Sequence, residues 1–388
     1  MLATLLFFAL LAIFAGVPAA YFLQMRSFSR RPWNLKNDAK YIPTVSIIVP
    51  MHNEEKIIGF KLQNLAKIIY PREKLQIIVV NDNSTDGSLK AVTDFKSFNK
   101  QENIVIINNE TSPGKTKSLN LALRNSTGEV VAVSDADCFW RPEALSIATN
   151  FLSDPAVGAV TGLERLLNAD ETWVTETEVL YNGVAQTIQL GESKFHSTVI
   201  FQGGFAAYKK SFLDHFDEEA DDSGTALDLI CKGARALLIP EVVYYTMSPK
   251  SLKGKIAIKL RRATSLIRVW SRCSKLTLKR TPFLPQRIIL SETFLYMVNP
   301  IIFFLLIGTY FFLLPENLEL FLLILGLLAV SVVIKKTRIA LFEILQDHFF
   351  LFIGLFMSLS SRKYHLWGGE ADTRKFLTRE LLERKGLI

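Results

Sequence analysis

At 388 residues the chain exceeds one average domain, and its 49% hydrophobic content, with a mean hydropathy of +0.23, is too high for a wholly soluble protein. The formal net charge of +8 is local: twelve Lys or Arg and no acidic residue stand between Glu241 and Glu292, and the rest of the chain is net acidic. Beside long apolar runs such a patch points to lipid headgroups and away from nucleic acid. Three cysteines, Cys138, Cys231 and Cys273, without disulfide or metal-ligand spacing, suit a reducing compartment.

Residues 1–25 form an uncharged apolar run, followed by Arg26, Arg30 and Arg31. A bilayer core needs about 20 such residues. The stretch Ala15-Gly16-Val17-Pro18-Ala19-Ala20 could pass for a signal-peptide cleavage site. A cleaved signal, however, carries positive charge before its apolar run, and here the charge follows. The expectation is a transmembrane anchor.

Residues 41–246 alternate β-rich runs with helical patterns: 45–49 then 54–68, 76–80 then 87–95, 104–107 then 115–123, and 130–133 then 142–152. That alternation predicts a doubly wound, mostly parallel α/β sheet, whose ligands bind beyond the carboxyl ends of the strands. Polar clusters fall there. Asn53-Glu54-Glu55 follows the first run, Asn81-Asp82-Asn83-Ser84 the second, and Asp135-Ala136-Asp137 the fourth.

In Asp135-Ala136-Asp137 two carboxylates one residue apart point to the same side of an extended backbone. Such a pair suits a hard cation, Mg2+ or Mn2+, that shares its shell with diphosphate oxygens. Asp82 can hydrogen-bond a base or ribose, whereas Asp86 reads as the cap of the helix beginning near Gly87. Gly114-Lys115-Thr116 is no P-loop, because Asn109 stands where that motif needs glycine; Lys115 can still reach a phosphate as a point charge. Gly203-Gly204 permits close backbone approach to a sugar or acceptor, or forms a tight turn. Asp221-Asp222 opens a helix, where acidic residues commonly complement the dipole, and two adjacent carboxylates also raise one pKa toward that of a useful base.

Residues 250–285 are basic and amphipathic: Ile256, Leu260, Ala263, Ile267 and Trp270 recur at helical spacing among Lys255, Lys259, Arg261, Arg262, Arg268 and Arg272. We expect Lys255, Lys259, Arg261, Arg262 and Trp270 at the membrane interface; packing of this face on the soluble domain is the alternative. Residues 290–334 read as a transmembrane hairpin, with an acidic loop at Glu316 and Glu319 and a basic close at Lys335, Lys336 and Arg338. The positive-inside rule then puts residues 41–246 in the cytoplasm of a multi-pass cell-membrane protein. Residues 339–388 are expected to form an interfacial or re-entrant helix and a basic tail, since Glu343, Asp347 and His348 interrupt the apolar run.

As a set, 45–55, 80–88, Gly114-Lys115 with Asn120, Asp135-Ala136-Asp137 and Asp221-Asp222 resemble glycosyltransferase family 2, inverting enzymes with a GT-A fold. The resemblance implies a transferase using a UDP- or GDP-sugar, with Pro50, Glu54 and Asp82 lining the nucleoside pocket, Asp135 on the nucleotide, Asp137 on the metal and Asp222 as base. Asp221 departs from the Glu common at that position. The Gln-x-x-Arg-Trp of processive synthases is reduced to one arginine in 258–262. A lipid-linked acceptor, of polyprenyl type, or a glycan is therefore expected to receive one sugar, with processive synthesis or non-catalytic sugar-nucleotide binding as alternatives.

Overall fold

The computed structural model describes residues 2–110, 113–278, 284–358, 374 and 376–388. Its centre is an eight-stranded sheet of order β3-β2-β1-β4-β7-β6-β8-β5, comprising β1 (Val45–Met51), β2 (Leu75–Asn81), β3 (Ile104–Asn108), β4 (Val130–Val133), β5 (Phe139–Trp140), β6 (Val157–Leu166), β7 (Ala206–Lys209) and β8 (Arg235–Thr246). The four runs read from sequence are the parallel half, with β1 between β2 and β4 and β3 outside β2. Beyond β4 the sheet is mixed: β7 runs antiparallel to both β4 and β6, β8 is parallel to β6, and β5 closes the edge antiparallel to β8. Parallel order thus stops after Asp137, where the chain turns into the two-residue β5.

Every residue of β1 and β2 is buried, as strands covered on both faces must be, and this is why they read as unbroken apolar runs. On one face Ile47, Val49, Ile77 and Val79 pack with α2 (Ile58–Ala66) and α5 (Ala144–Leu152). On the other, Ile48, Ile78 and Val80 join a core supplied by α4 (Lys115–Arg124), α7 (Asp221–Cys231) and α8 (Leu252–Leu278). The helix α3 (Ser88–Phe98) lies outside β2 and β3.

Among the described residues, three helical stretches are long and apolar enough to cross a membrane: α1 (Leu2–Ser29), the continuous Gln286–Glu316, and α12 (Lys335–Ser358). The middle one joins α9 (Gln286–Thr293) to α10 (Asn299–Glu316) through one π-helical turn, Phe294–Val298. It runs antiparallel to α1, with Phe14 near Phe303 and Phe7 near Tyr310. Asn317 turns the chain by accepting a bond from the Leu320 amide (3.0 Å), and the 16-residue α11 (Leu318–Val333) folds back with Phe321 stacked on Tyr310. The long α6 (Trp173–Phe195) carries the far end of α1, where Tyr21 Oη donates to Glu192 Oε1 (2.6 Å).

Two expectations change. Lys255, Lys259 and Trp270 do not face headgroups. Both lysines are buried against carboxylates, Lys255 on Glu343 (2.8 Å) and Glu178 (3.6 Å), Lys259 on Glu343 and Asp347 (2.5 Å), and Trp270 lies in the core. A buried ammonium needs a counter-charge, and α6 and α12 supply it. Arg261 and Arg262 turn toward the cleft described below. Secondly, α12 has the length and composition of a span, yet it lies along α8, with Glu343 at Lys255 and Gly354 against Ala263 and Ile267. Beyond it, residues 376–388, within the expected basic tail, dock on the α/β domain and include α13 (Arg379–Arg384); residues 359–373 and 375 lie outside the described residues.

Candidate active site

The site forms where strand ends meet. After β1 and β2 the chain turns through Asn53 and Asn83, both with left-handed backbone (φ 56° and 55°), a conformation asparagine tolerates well. The two loops interlock: the Asn53 amide donates to Ser84 Oγ (3.0 Å), and Asn53 Oδ1 accepts from the Thr85 amide (2.8 Å). Asp86 stands one residue before the N-cap Gly87 and accepts from the Ser88 amide (3.0 Å), at the start of α3. Asp82 is fully buried, its oxygens taken by Asn109 Nδ2 (2.6 Å) and the Gly114 amide (2.8 Å). It therefore shapes the cleft through Gly114. Pro50 sits within β1 beside Val80, and the residues that line the cleft include neither Pro50 nor Asp82. Glu54 does line the cleft.

The acidic loop after β4 is pinned to the Gly203-Gly204 strand entry. The Asp135 amide donates to Gly203 O (2.9 Å), and Trp140 Nε1 donates to Gly204 O (2.7 Å). Neither glycine has positive φ, so each is required for space rather than torsion. A Cβ on Gly203 would lie 2.6 Å from Asp135 Oδ2, 2.7 Å from Lys115 Nζ and 3.0 Å from Asp222 Oδ2; one on Gly204 would lie 2.0 Å from the Tyr244 ring.

Gly203 thus marks the middle of a charge cluster. Lys115, the first residue of α4, reaches Asp135 (2.8 Å), Asp221 (2.9 Å) and Asp222 (3.8 Å). Burial disfavours its charge, but the three carboxylates outweigh that and hold its pKa well above the ordinary lysine range. Burial first, and the neighbouring Asp221 second, push Asp222 up to about 8, whereas Lys115 holds Asp221 below the usual carboxylate range. The pair is split into one carboxylate and one reluctant acid, as coupled neighbours are.

Asp135, Asp137 and Cys138 each place a ligand atom within 4.8 Å of the others. The two carboxylates suit a hard divalent cation; the Cys138 thiol is soft, buried and held well up by that burial. A cavity of about 370 Å³ takes in Glu54, Lys115, Asp135, Asp137 and Asp222, and extends past Arg261 and Arg262 to Tyr181 and Leu266, ending at Tyr296 in the π-helical turn. A smaller cavity of about 110 Å³ adjoins it at Asp137 and Gly203.

Two participants escaped the sequence reading. Lys61 of α2 is fully buried under the acidic loop, donating to Ser134 Oγ (2.6 Å) and the Cys138 carbonyl (2.7 Å), with its pKa lowered to about 7 by burial. A signal existed, since Lys61 sits three residues after Ile58 and four before Leu65, inside the apolar stripe of its helix. Arg374 binds Glu54 from the far end of the chain, and no local pattern announces it.

The family model described as "Glycosyl transferase family 2" matches residues 46–216. Among solved structures, the mannosyltransferase PcManGT from Pyrobaculum calidifontis, in complex with GDP-Man and Mn2+, is 28% identical, covers 93% of this chain and 100% of its own, and superposes with a TM-score of 0.80. The "Probable glycosyltransferase YdaM" of Bacillus subtilis (strain 168) is 26% identical over 245 residues, 60% of this chain and 57% of that protein. A poly-beta-1,6-N-acetyl-D-glucosamine synthase of Staphylococcus epidermidis is 25% identical over 194 residues, 50% of this chain and 46% of that one. The chain therefore spans about half the length of the curated relatives it matches.

Proposed function

Because the chain belongs to glycosyltransferase family 2 and has its GT-A fold, we propose that it is a metal-dependent inverting transferase that moves one sugar from a UDP- or GDP-sugar to a lipid-linked acceptor at the cytoplasmic face of the cell membrane. The observation that carries this reading is the single cavity running from Asp135, Asp137 and Asp222 to Tyr296, in the π-helical turn of the long apolar stretch Gln286–Glu316. Water-soluble donor and membrane-held acceptor can meet there without either leaving its phase.

Asp137, with Asp135 beside it, would hold Mg2+ or Mn2+, which supplies neutralising charge for the departing nucleoside diphosphate. Lys115 can serve the same phosphates. Glu54 lines the cavity and would sit at its wall beside the nucleotide, while Asp82 fixes the Gly114 amide. Asp222 takes the proton of the acceptor's attacking oxygen as that oxygen bonds to the anomeric carbon. The bond from that carbon to the diphosphate breaks on the opposite face, and configuration inverts. The backbone at Gly203-Gly204 lets the sugar lie close to the carboxylates. We assign residues 41–246 as the catalytic domain and α1 with the 290–334 hairpin as its anchors, with α8 and α12 lying between domain and lipid.

The mannosyltransferase's bound GDP-Man and Mn2+ support a nucleotide-sugar donor and a divalent ion. Purified chain in detergent, given labelled UDP- and GDP-sugars, Mn2+ or Mg2+ and polyprenyl phosphate, should yield a one-sugar lipid. A ladder of long polymer would instead identify a processive synthase. Donor binding with neither transfer nor hydrolysis would leave a non-catalytic binder.

A further inference from the structure

Arg374 and residues 376–388 lie far from the acidic loops in sequence, yet they close on them from behind. Leu377, Leu382, Leu387 and Ile388 bury themselves with Ile57, three residues after Glu54, and with Phe139, two after Asp137. Asn64 ties this packing to both loops: its Nδ2 donates to the Leu387 carbonyl and the Trp140 carbonyl (2.8 Å each), and its Oδ1 accepts from the Trp140 amide (2.8 Å). Lys250 lies over the Phe376 ring (3.8 Å), and Arg379 Nη2 donates to Gln63 Oε1 (3.2 Å). Ahead of this anchor, Arg374 donates from Nε to Glu54 Oε2 (2.6 Å) and from Nη2 to Oε1, a two-pronged pair in which Glu54 is only 3% exposed. Both side chains line the cavity that holds Lys115 and the acidic loop.

A carboxylate buried to that degree at the wall of a ligand cavity takes its position from whatever neutralises it. We propose that Arg374 is a positioning residue of the donor site. The 376–388 segment is the clamp that presents it, so that nucleotide affinity depends on a piece of chain contributed after the membrane helices. This rests on the donor-binding reading above. The clamp acts in two places: Arg374 fixes the Glu54 carboxylate at the cavity wall, and the leucine cluster supports the backs of the loops bearing Glu54 and Asp137.

The test is calorimetric binding of GDP and UDP with Mn2+ to the full chain in detergent, with melting of the nucleotide-free protein measured alongside. Arg374→Ala should weaken nucleoside diphosphate binding tenfold or more, and raise KM for the donor without moving KM for the acceptor. Arg374→Lys, which keeps charge but loses the fork, should fall between. Glu54→Gln combined with Arg374→Ala should cost no more than the worse single change, since the two act as one unit. Leu382→Ala, remote from the cavity, should weaken binding in the same direction by loosening the segment, a change that limited proteolysis reads independently. Wild-type affinity in Arg374→Ala, or in a Leu382→Ala protein whose segment has become protease-sensitive, overturns the proposal. If the wild type binds neither GDP nor UDP, it is the donor reading itself that fails.

Discussion

The adjacent glycines offer one chemical change with two opposite outcomes. A methyl on Gly203 would sit 2.6 Å from Asp135 Oδ2 and 2.7 Å from Lys115 Nζ, against an ordinary contact of 3.4 Å or more. The charged ends must retreat by about 0.8 Å, and both belong to side chains that can rotate, at about 1 kcal/mol each. The fold should therefore lose only about 1–2 kcal/mol, a fall of about 2–8 °C in Tm at about 2–4 °C per kcal/mol for a domain of this size. Activity should suffer far more, because displacing reacting groups by about 1 Å costs about a hundredfold. On Gly204 the same methyl meets the Tyr244 ring at 2.0 Å, and that ring is 1% exposed with its hydroxyl bonded to Gln202. Overpacking against a ring that cannot move costs about 3 kcal/mol or more. Transfer from labelled donor and Tm on the same preparations separate the two. A Gly203→Ala enzyme of near wild-type activity would show that the Lys115 cluster is not the reacting centre, and a Gly204→Ala protein of unchanged Tm would refute the packing argument.

Asp137→Asn should remove the Mn2+-dependent part of the Tm rise produced by a nucleoside diphosphate and reduce transfer at least a hundredfold; an unchanged Mn2+ dependence in the melts would move the metal elsewhere. With Asp222 pushed up to about 8 by burial and Asp221, and with the unprotonated form required of a base, kcat/KM should climb with pH and level off above about 8. Asp221→Asn, which removes the neighbouring negative charge, should shift that climb to lower pH, and a profile flat from acid to alkaline would exclude the base. Lys61→Met deletes two hydrogen bonds but also relieves a buried charge, so Tm should move little while transfer falls about tenfold from a loosened acidic loop. A large Tm loss with activity retained would instead make Lys61 purely structural.

The parallel half of the sheet was legible because β1 and β2 are buried on both faces and leave continuous apolar runs, with Asn, Asp and Gly marking their carboxyl ends. The antiparallel half was not. Strand β5 has two residues, too short for any period to register, and the order of β7, β6 and β8 is set by pairings between distant segments that leave no local pattern. At the site, Lys115, Asp135, Asp137, Asp222 and the paired glycines all come together, since each stands at an element boundary where polar residues are conspicuous. What sequence reasoning lost were partners whose meaning depends on distant chain. Arg374 is 320 residues from Glu54, and Asp82 looks like a ligand contact until Asn109 and Gly114 are seen to occupy it.

The basic helix shows how a correct charge count can lead to the wrong surface. Twelve cations without an acid imply an external anion only if no carboxylate reaches them from elsewhere, and Glu178, Glu343 and Asp347 do, from α6 and α12. The two placements predict different losses. Lysines on anionic headgroups contribute about 1 kcal/mol each to membrane attachment, so Lys255→Gln with Lys259→Gln would weaken binding to phosphatidylserine vesicles and leave Tm alone. Lysines buried on Glu343 leave that carboxylate uncompensated when removed, at a cost of about 3–5 kcal/mol, so the double variant should melt well below wild type. Its vesicle binding should be unaltered at a temperature where it remains folded. The converse pattern, weakened vesicle binding at constant Tm, would return both residues to the lipid surface and take the α8–α12 packing with them.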